Sequence, residues 1–208
     1  SMGLRETIHY SFVSEDLLRN YGFAHDGMIS LKNPLSDEMK ILRTSLLPSL
    51  LQTYSYNLNR KVQHQRLFEL ARTFSWDDKE ETKVKETPYL AGLLSGNLSG
   101  SGWKDKPIAL DFYHVKGLVE NLVRQLTTVK LSFESSKNTT IYHPNRSATI
   151  KLGLKEVGSL GEIHPVVRDS ILETHEPVML FELNLEALRK YERTTTRYKT
   201  PSKFPAIE

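Results

Sequence analysis

The chain has 208 residues, a hydrophobic fraction of 38% and no cysteine, and its 28 Lys and Arg against 25 Asp and Glu give a net charge of +3. This length can bury one sizeable core. The lack of cysteine excludes disulfides, thiolate nucleophiles and cysteine-based zinc sites, and the mild charge does not demand nonspecific nucleic-acid binding. The lack of cysteine is also compatible with a reducing compartment, so we expect a cytoplasmic protein. No apolar run reaches the roughly 18 residues that a membrane-spanning helix needs, so we expect no membrane partner.

Both ends of the chain are predicted to lie outside the folded core. Residues 1–3 (SMG) have the character of an expression scar, and residues 4–190 are predicted to form the domain. Residues 191–208 are polar and basic and hold two prolines, so we expect a basic linker into a truncated C-terminal domain.

The N-terminal elements are a strand and two helices. A strand is predicted over residues 6–13 (ETIHYSFV), which are rich in β-branched and aromatic residues. Ser14 is a suitable N-cap for a short helix that Gly22 would end. Pro48 fits the first turn of an amphipathic helix that extends to residue 61 with a basic end.

The middle of the chain predicts two strands and a long helix. Residues 66–76 and 88–98 are expected to pair as antiparallel strands, the second more central, with a solvated charged turn between them. A flexible loop is expected at 99–106, followed by a helix at 111–126 that buries one apolar stripe.

The C-terminal part predicts four more strands with one helix inserted. The strands are expected at 130–135, 147–153, 155–163 and 177–185, and the helix at 164–173. Because strands and helices do not alternate regularly, the pattern favours an α+β domain with an antiparallel sheet flanked by helices.

Motifs that carry chemistry are largely missing. The seven histidines have no metal-ligand spacing, no G-x-S-x-G elbow occurs, and the loop NLSGSGWK lacks the Gly-Lys-Ser/Thr ending of a phosphate loop. No catalytic, cofactor-binding or metal-binding residue is therefore predicted from motif spacing alone.

Basic residues give two open interpretations. Arg60, Lys61 and Arg66, together with Arg193 and Arg197 near the C-terminus, are candidates for contact with RNA phosphates. The same residues also fit the solvated end of a helix and a linker.

Five sequence blocks carry a resemblance to a known family. They are, in chain order, NPLSDEMKILRTSLLPSLL, RLFELARTF, DFYHVKGLVENLV, HPNRSATIKL and GEIHP, and the resemblance extends from Leu4 to about Leu188. The chain resembles the bacterial phenylalanyl-tRNA synthetase β subunit in its catalytic-like region. This resemblance implies a class II aminoacyl-tRNA synthetase-like core. Within the third block, Lys116 and Gly117 are interpreted as structural, supplying a helix surface and a close approach.

The resemblance extends to motifs of the family's catalytic α subunit. Where that subunit has Leu-Arg-Thr-His-Thr-Ser-Pro, this chain keeps the frame but replaces His-Thr-Ser by Ser45, Leu46 and Leu47. The replaced trio faces ATP and phenylalanine in the α subunit. Two leucines cannot hydrogen-bond a substrate, so the resemblance implies a substrate site converted to packing.

Two arginines that grip the ATP phosphate in the α subunit are also replaced. One falls on Ser75 and the other on Ala187, while Glu182 takes the place of a glycine and adds negative charge. Loss of one charge-stabilising donor typically costs about 10²–10³ in rate. The resemblance therefore implies that this region is not an enzyme by itself and binds no cofactor.

The leading functional hypothesis is a non-catalytic scaffold. The family resemblance implies packing against the α subunit, in a heterotetramer of two α and two β chains that uses ATP and Mg²⁺ to charge the tRNA for phenylalanine. The alternatives are a tRNA-contacting module that works through the basic residues above, and a degenerate domain that retains ATP or phenylalanine binding. Arg43, Glu69 and Arg72 are the candidate residues of such a vestigial cleft.

Overall fold

The computed structural model describes residues 3–23, 27–98, 108–136, 140–170 and 172–191. Five α-helices occur in these ranges: α1 (Glu15–Asn20), α2 (Leu47–Leu58), α3 (Phe112–Leu126), α4 (Pro165–Ser170) and α5 (Leu185–Arg189). Nine strands occur in the same ranges: β1 (Arg5–Glu6), β2 (Phe12–Val13), β3 (Ile41–Leu42), β4 (Gln65–Trp76), β5 (Val84–Ser95), β6 (Leu131–Ser135), β7 (Tyr142–Leu152), β8 (Lys155–Ile163) and β9 (Val178–Asn184).

Seven strands form one sheet in the order β1-β4-β5-β9-β8-β7-β6. Every neighbouring pair is antiparallel except β1 with β4, and β2 pairs with β3 in a separate two-stranded ribbon. The predicted α+β class with an antiparallel sheet flanked by helices is confirmed, as is the more central position of the second strand of the first hairpin.

Helices cover both faces of the sheet. On one face α2 packs Leu50, Leu51 and Tyr54 against β4, β5 and β9. On the other face, the buried stripe of α3 (Val115, Val119, Val123) packs with side chains of β8 and β9. Strand β9 is buried on both faces, which explains why it begins with four consecutive apolar residues, Val178–Phe181, rather than with an alternating pattern.

The predicted helix starts are confirmed. Ser14 accepts a hydrogen bond from the backbone N–H of Leu17, and Pro48 lies in the first turn of α2. Gly22 follows α1 with φ +77°, a conformation that glycine adopts without strain. Asp111 caps α3 by accepting from the N–H of His114 at 3.0 Å.

Several boundaries differ from prediction; for example, β7 begins at Tyr142 rather than at residue 147. The prediction of one strand at 6–13 is wrong, because only Arg5–Glu6 and Phe12–Val13 form strands there. His9, which lies between them, hydrogen-bonds to the side chain of Glu69 through its backbone N–H and its ring. Strand β5 begins at residue 84 rather than 88, because its pairing with β4 continues to the Trp76–Val84 pair. Helix α5 was missed: Asn184 ends β9 and caps this helix by accepting from the N–H of Ala187 at 2.9 Å.

The close approach predicted at Gly117 is wrong, since a Cβ atom there would meet no atom within 4 Å. The surface role of Lys116 is consistent with its 2.7 Å ion pair to Glu120. A tight approach occurs instead at Gly92 in β5, where a Cβ atom would overlap the ring of Phe181.

These two glycines make a matched pair for mutation. Gly92→Ala is expected to lower the free energy of unfolding by about 1–3 kcal/mol, because the added methyl displaces a fully buried ring. Gly117→Ala is expected to raise it by about 0.5–1 kcal/mol, because alanine has the better helix propensity and the space is open. Urea unfolding of both variants measures the difference, and equal effects would contradict the packing described here.

Candidate functional site

The turn Ser45–Leu47, at which the family resemblance implies a lost substrate site, leads from β3 into α2. Leu46 and Leu47 are 0% and 1% exposed and belong to the core between α2 and the sheet. Ser45 is 6% exposed. The two leucines therefore act as core residues.

The polar atoms of this turn bind one carboxylate on the sheet. The Ser45 hydroxyl donates to Oε1 of Glu182 at 2.9 Å, and the Leu46 N–H donates to the same oxygen at 2.7 Å. Burial of this carboxyl group raises the pKa of Glu182 to about 7, although the hydrogen bonds from Leu46 and Ser45 and the charge of Arg43 act in the opposite direction. Glu182 thus fastens the N-terminal end of α2 to β9.

A polar cavity of about 390 Å³ opens beside this carboxylate. Its lining combines one carboxyl group with hydroxyl groups and a few apolar side chains. The described lining residues are Gly22, Phe23, Thr44, Ser45, Leu47, Thr140, Ile141, Tyr142, Ser159 and Glu182. The Tyr142 and Ser159 hydroxyls are hydrogen-bonded to each other at 3.0 Å.

Two of the three predicted cleft residues form a closed ion pair. Arg43 Nη1 lies 2.8 Å from Glu69 Oε1, and the two side chains are only 3% and 2% exposed. His9 Nδ1 lies 2.7 Å from the other oxygen of Glu69, and its Nε2 lies 2.7 Å from the Thr53 hydroxyl. Burial alone would raise the pKa of Glu69, but the hydrogen bond from His9 and the charge of Arg43 hold it below its usual value.

The third predicted cleft residue, Arg72, points to the surface. Its guanidinium pairs with the exposed Glu86 at 3.0 Å, while its backbone carbonyl accepts from Nε of Arg43. Arg43 therefore pairs with the side chain of Glu69 but contacts only the backbone of Arg72. The polar groups of Arg43 and Glu69 are directed to each other, to His9 and to backbone oxygens.

The two positions at which the resemblance implies lost arginines, Ser75 and Ala187, lie in different environments. Ser75 is exposed near the end of β4, opposite Lys85 in the strand register. Ala187 is 3% exposed in α5, where it packs into the second core.

The basic candidates for RNA contact also differ. Arg60 and Lys61 are exposed just after α2, and the Arg60 guanidinium stacks 3.4 Å from the ring centre of Tyr56. Arg66 instead donates to the carbonyls of Asn97 and Leu98 at 3.0 and 2.6 Å. Arg193 and Arg197 lie outside the described residues, as do Ser1, Met2, residues 192–208 and the loop expected at 99–106.

Sequence reasoning missed the partners of Glu182 and Glu69. The available signal was polarity at an inward-facing position, because Glu69 alternates in phase with the buried Leu67 and Thr73. A buried carboxylate at such a position requires a partner, which here is Arg43.

Neither a metal cluster nor a membrane helix stands out in the described part of the chain. No three metal-ligating side chains come together there. None of the helices there is long and apolar enough to cross a membrane.

Comparison with known proteins finds a matching family model and related subunits. Residues 1–185 match the family model of the phenylalanyl tRNA synthetase beta chain CLM domain. The chain is 39% identical over 207 residues to the phenylalanine–tRNA ligase beta subunit of Geobacter sulfurreducens, which covers 98% of this chain and 26% of the relative. It is 34% identical over 212 residues to the subunit of the same name from Carboxydothermus hydrogenoformans, covering 100% of this chain and 26% of the relative. The chain thus spans about a quarter of the length of these relatives.

Proposed function

Because the chain belongs to the phenylalanyl-tRNA synthetase β-chain family, we propose that it is a non-catalytic, class II synthetase-like module that helps to assemble the ligase. The observation that carries this proposal is the turn Ser45–Leu47. Its leucines are core residues, and the hydrogen-bond donors of Ser45 and Leu46 are bound to Glu182, so these donors are not available to a substrate.

Electrostatics supports the same proposal. Activation of an amino acid develops negative charge on the α-phosphate of ATP, which a catalyst stabilises with positioned cationic donors. The described lining of the cavity holds the carboxyl group of Glu182 and no Lys, Arg or His. Arg43, a cation whose charge acts on Glu182, is buried and paired with Glu69. A triphosphate at this cavity would meet repulsion rather than stabilisation.

The partner in assembly is proposed to be the α subunit, in a heterotetramer of two α and two β chains. The relatives are named beta subunits, which implies a complex. The chain also exposes large apolar side chains on the segment between β1 and β2, where Ile8 is 88% and Tyr10 is 72% exposed. Both line a cavity of about 410 Å³ together with Phe12, Leu17 and Met39. We assign the contact with the α subunit to this surface.

Co-purification tests this contact. In the full-length β subunit, Ile8→Asp combined with Tyr10→Asp is expected to abolish co-purification with the α subunit, because two charges would be buried without partners. The matched control is Leu154→Asp, which changes a fully exposed leucine in the turn between β7 and β8. Loss of assembly by the control alone, or retention by the double variant, would contradict the assignment.

The complete ligase would use ATP and Mg²⁺ to charge the tRNA for phenylalanine in the cytoplasm, with the reacting groups on the α subunit.

A second candidate role for this chain is tRNA contact through Arg60 and Lys61, which are exposed side by side. If they contact phosphates, Arg60→Ala with Lys61→Ala weakens tRNA binding by the ligase and makes it less salt-dependent. Unchanged affinity and salt slope would remove this role.

Residual binding of ATP or phenylalanine is the weakest of the three hypotheses. The groups of Arg43 and Glu69 that would hold a ligand are already paired with each other. Calorimetric titration of the chain with each compound is therefore expected to give no saturable micromolar binding, and such binding would restore the hypothesis.

A further inference from the structure

We propose that the cavity beside Glu182 is a binding site for small primary amines that carry no carboxylate. This inference goes beyond the scaffold role, because it assigns a ligand class to a cavity that shares no lining residue with the surface proposed to contact the α subunit. It rests on the free acceptor capacity of one carboxylate and on the chemistry of the lining.

The described donors do not fill the hydrogen-bond acceptor positions of the Glu182 carboxylate. Its Oε1 accepts from the Leu46 N–H at 2.7 Å and from the Ser45 hydroxyl at 2.9 Å. Its Oε2 lies 3.1 Å from the same Ser45 hydroxyl, which has only one proton to give. A carboxylate has about four lone-pair positions, so the Glu182 carboxylate retains capacity for an ammonium donor.

The cavity is lined by both hydroxyl groups and apolar side chains. Hydroxyl groups of Thr44, Ser45, Tyr142 and Ser159 provide further acceptors for a three-donor ammonium group. Burial raises the pKa of the Tyr142 phenol above its usual value, so this hydroxyl stays neutral. Apolar side chains of Phe23, Leu47 and Ile141 offer contact for a short hydrocarbon. The volume of about 390 Å³ falls within the usual range for small-ligand sites.

The charge of the described lining selects against anionic ligands. The described lining contains no Lys, Arg or His, so a phosphate or a carboxylate has no counter-charge there. An amino acid would place its own carboxylate near that of Glu182 in a partly desolvated site. The cavity therefore favours an amine over the amino acid from which it is formed by loss of CO₂.

The affinity for an amine should depend on pH through the ionisation of Glu182. Amine binding requires ionised Glu182, whose pKa is about 7 before the ligand enters. The charged and titratable groups that act on this carboxyl are Arg43, which favours the ionised form, together with Tyr142 and Tyr89, which stay neutral below pH 10 because burial raises their pKa. Affinity for an alkylammonium ion should therefore rise about tenfold between pH 6 and pH 8, as the ionised fraction rises from about a tenth to about nine tenths.

Phenethylamine and phenylalanine make a suitable probe pair, because they differ only in the carboxylate. We would titrate each into the chain at pH 6 and pH 8 and follow amide chemical shifts of residues 44–47 and 182. We expect saturable shifts with phenethylamine, at least tenfold weaker binding of phenylalanine, and at least tenfold weaker phenethylamine binding by Glu182→Gln.

Glu156→Gln is the control variant, because Glu156 is an exposed carboxylate of β8 that does not line the cavity. It should bind phenethylamine as the unaltered chain does. Ser159→Leu fills the cavity without changing charge and should also remove binding. Equal binding of both probes, full binding by Glu182→Gln, or no saturable shifts would overturn the inference. Co-purification with the α subunit is read out separately, so the two proposals fail independently.

Discussion

Glu69→Leu is expected to lower the free energy of unfolding of the chain by about 3–5 kcal/mol. The substitution removes the carboxylate that pairs with Arg43, whose side chain is 3% exposed, and leaves a buried charge without its partner. It also removes the acceptor for the ring of His9, which joins the segment between β1 and β2 to the sheet. Urea unfolding followed by circular dichroism measures the change.

The matched control is Glu86→Ala, which removes the partner of Arg72 on the same hairpin. That pair is 63% and 49% exposed, so its loss should cost no more than about 1 kcal/mol. The double variant Arg43→Met with Glu69→Leu should recover most of the lost stability, because no charge remains buried. A cost for Glu69→Leu no larger than that of Glu86→Ala would contradict the buried pair.

Stability should also fall as pH rises from about 5 to 8, because of Glu182. Its pKa of about 7 in the folded chain lies above the usual value of 4.5, so the folded state holds this proton more tightly than the unfolded state does. Between these two values each unit of pH removes stability, up to a total of about 3 kcal/mol if the whole shift is expressed. Above pH 8 both states are ionised and the loss is complete.

Glu182→Gln isolates this contribution, because glutamine can still accept from the Leu46 N–H but does not titrate. Near pH 4 to 5 the variant should match the unaltered chain, and at pH 8 it should be the more stable of the two. Urea unfolding at pH 5, 6, 7 and 8 gives the difference between them. A difference that does not change with pH would show that Glu182 titrates normally.

Local sequence chemistry was enough to predict much of the fold. Ser14 and Pro48 mark helix starts by satisfying or avoiding orphan backbone donors, and Gly22 marks a stop through its positive φ. The hairpin of β4 and β5 follows from an alternating segment and a mainly apolar segment on the two sides of a charged turn. These features depend on residues within a few positions of each other.

Features that depend on distant contacts were not predictable in the same way. The segment at 6–13 has strand composition, but His9 binds Glu69, which is 60 residues away in the chain. Glu182 was expected to disfavour phosphates, and nothing in its neighbourhood indicated that Ser45 and Leu46, more than 130 residues earlier, would bind it. The cavity lining likewise comes from separate segments that only the tertiary fold brings together.

Phenylalanine-stimulated ATP–pyrophosphate exchange by the chain alone is the most direct test of the non-catalytic role. A chain with Leu46 and Leu47 in the core and Glu182 at the cavity should give no exchange above a buffer blank, while the ligase assembled with the α subunit serves as the positive control. Circular dichroism of the same sample confirms that the chain is folded. Phenylalanine-dependent exchange by the chain itself would contradict the proposal and place an active site within it.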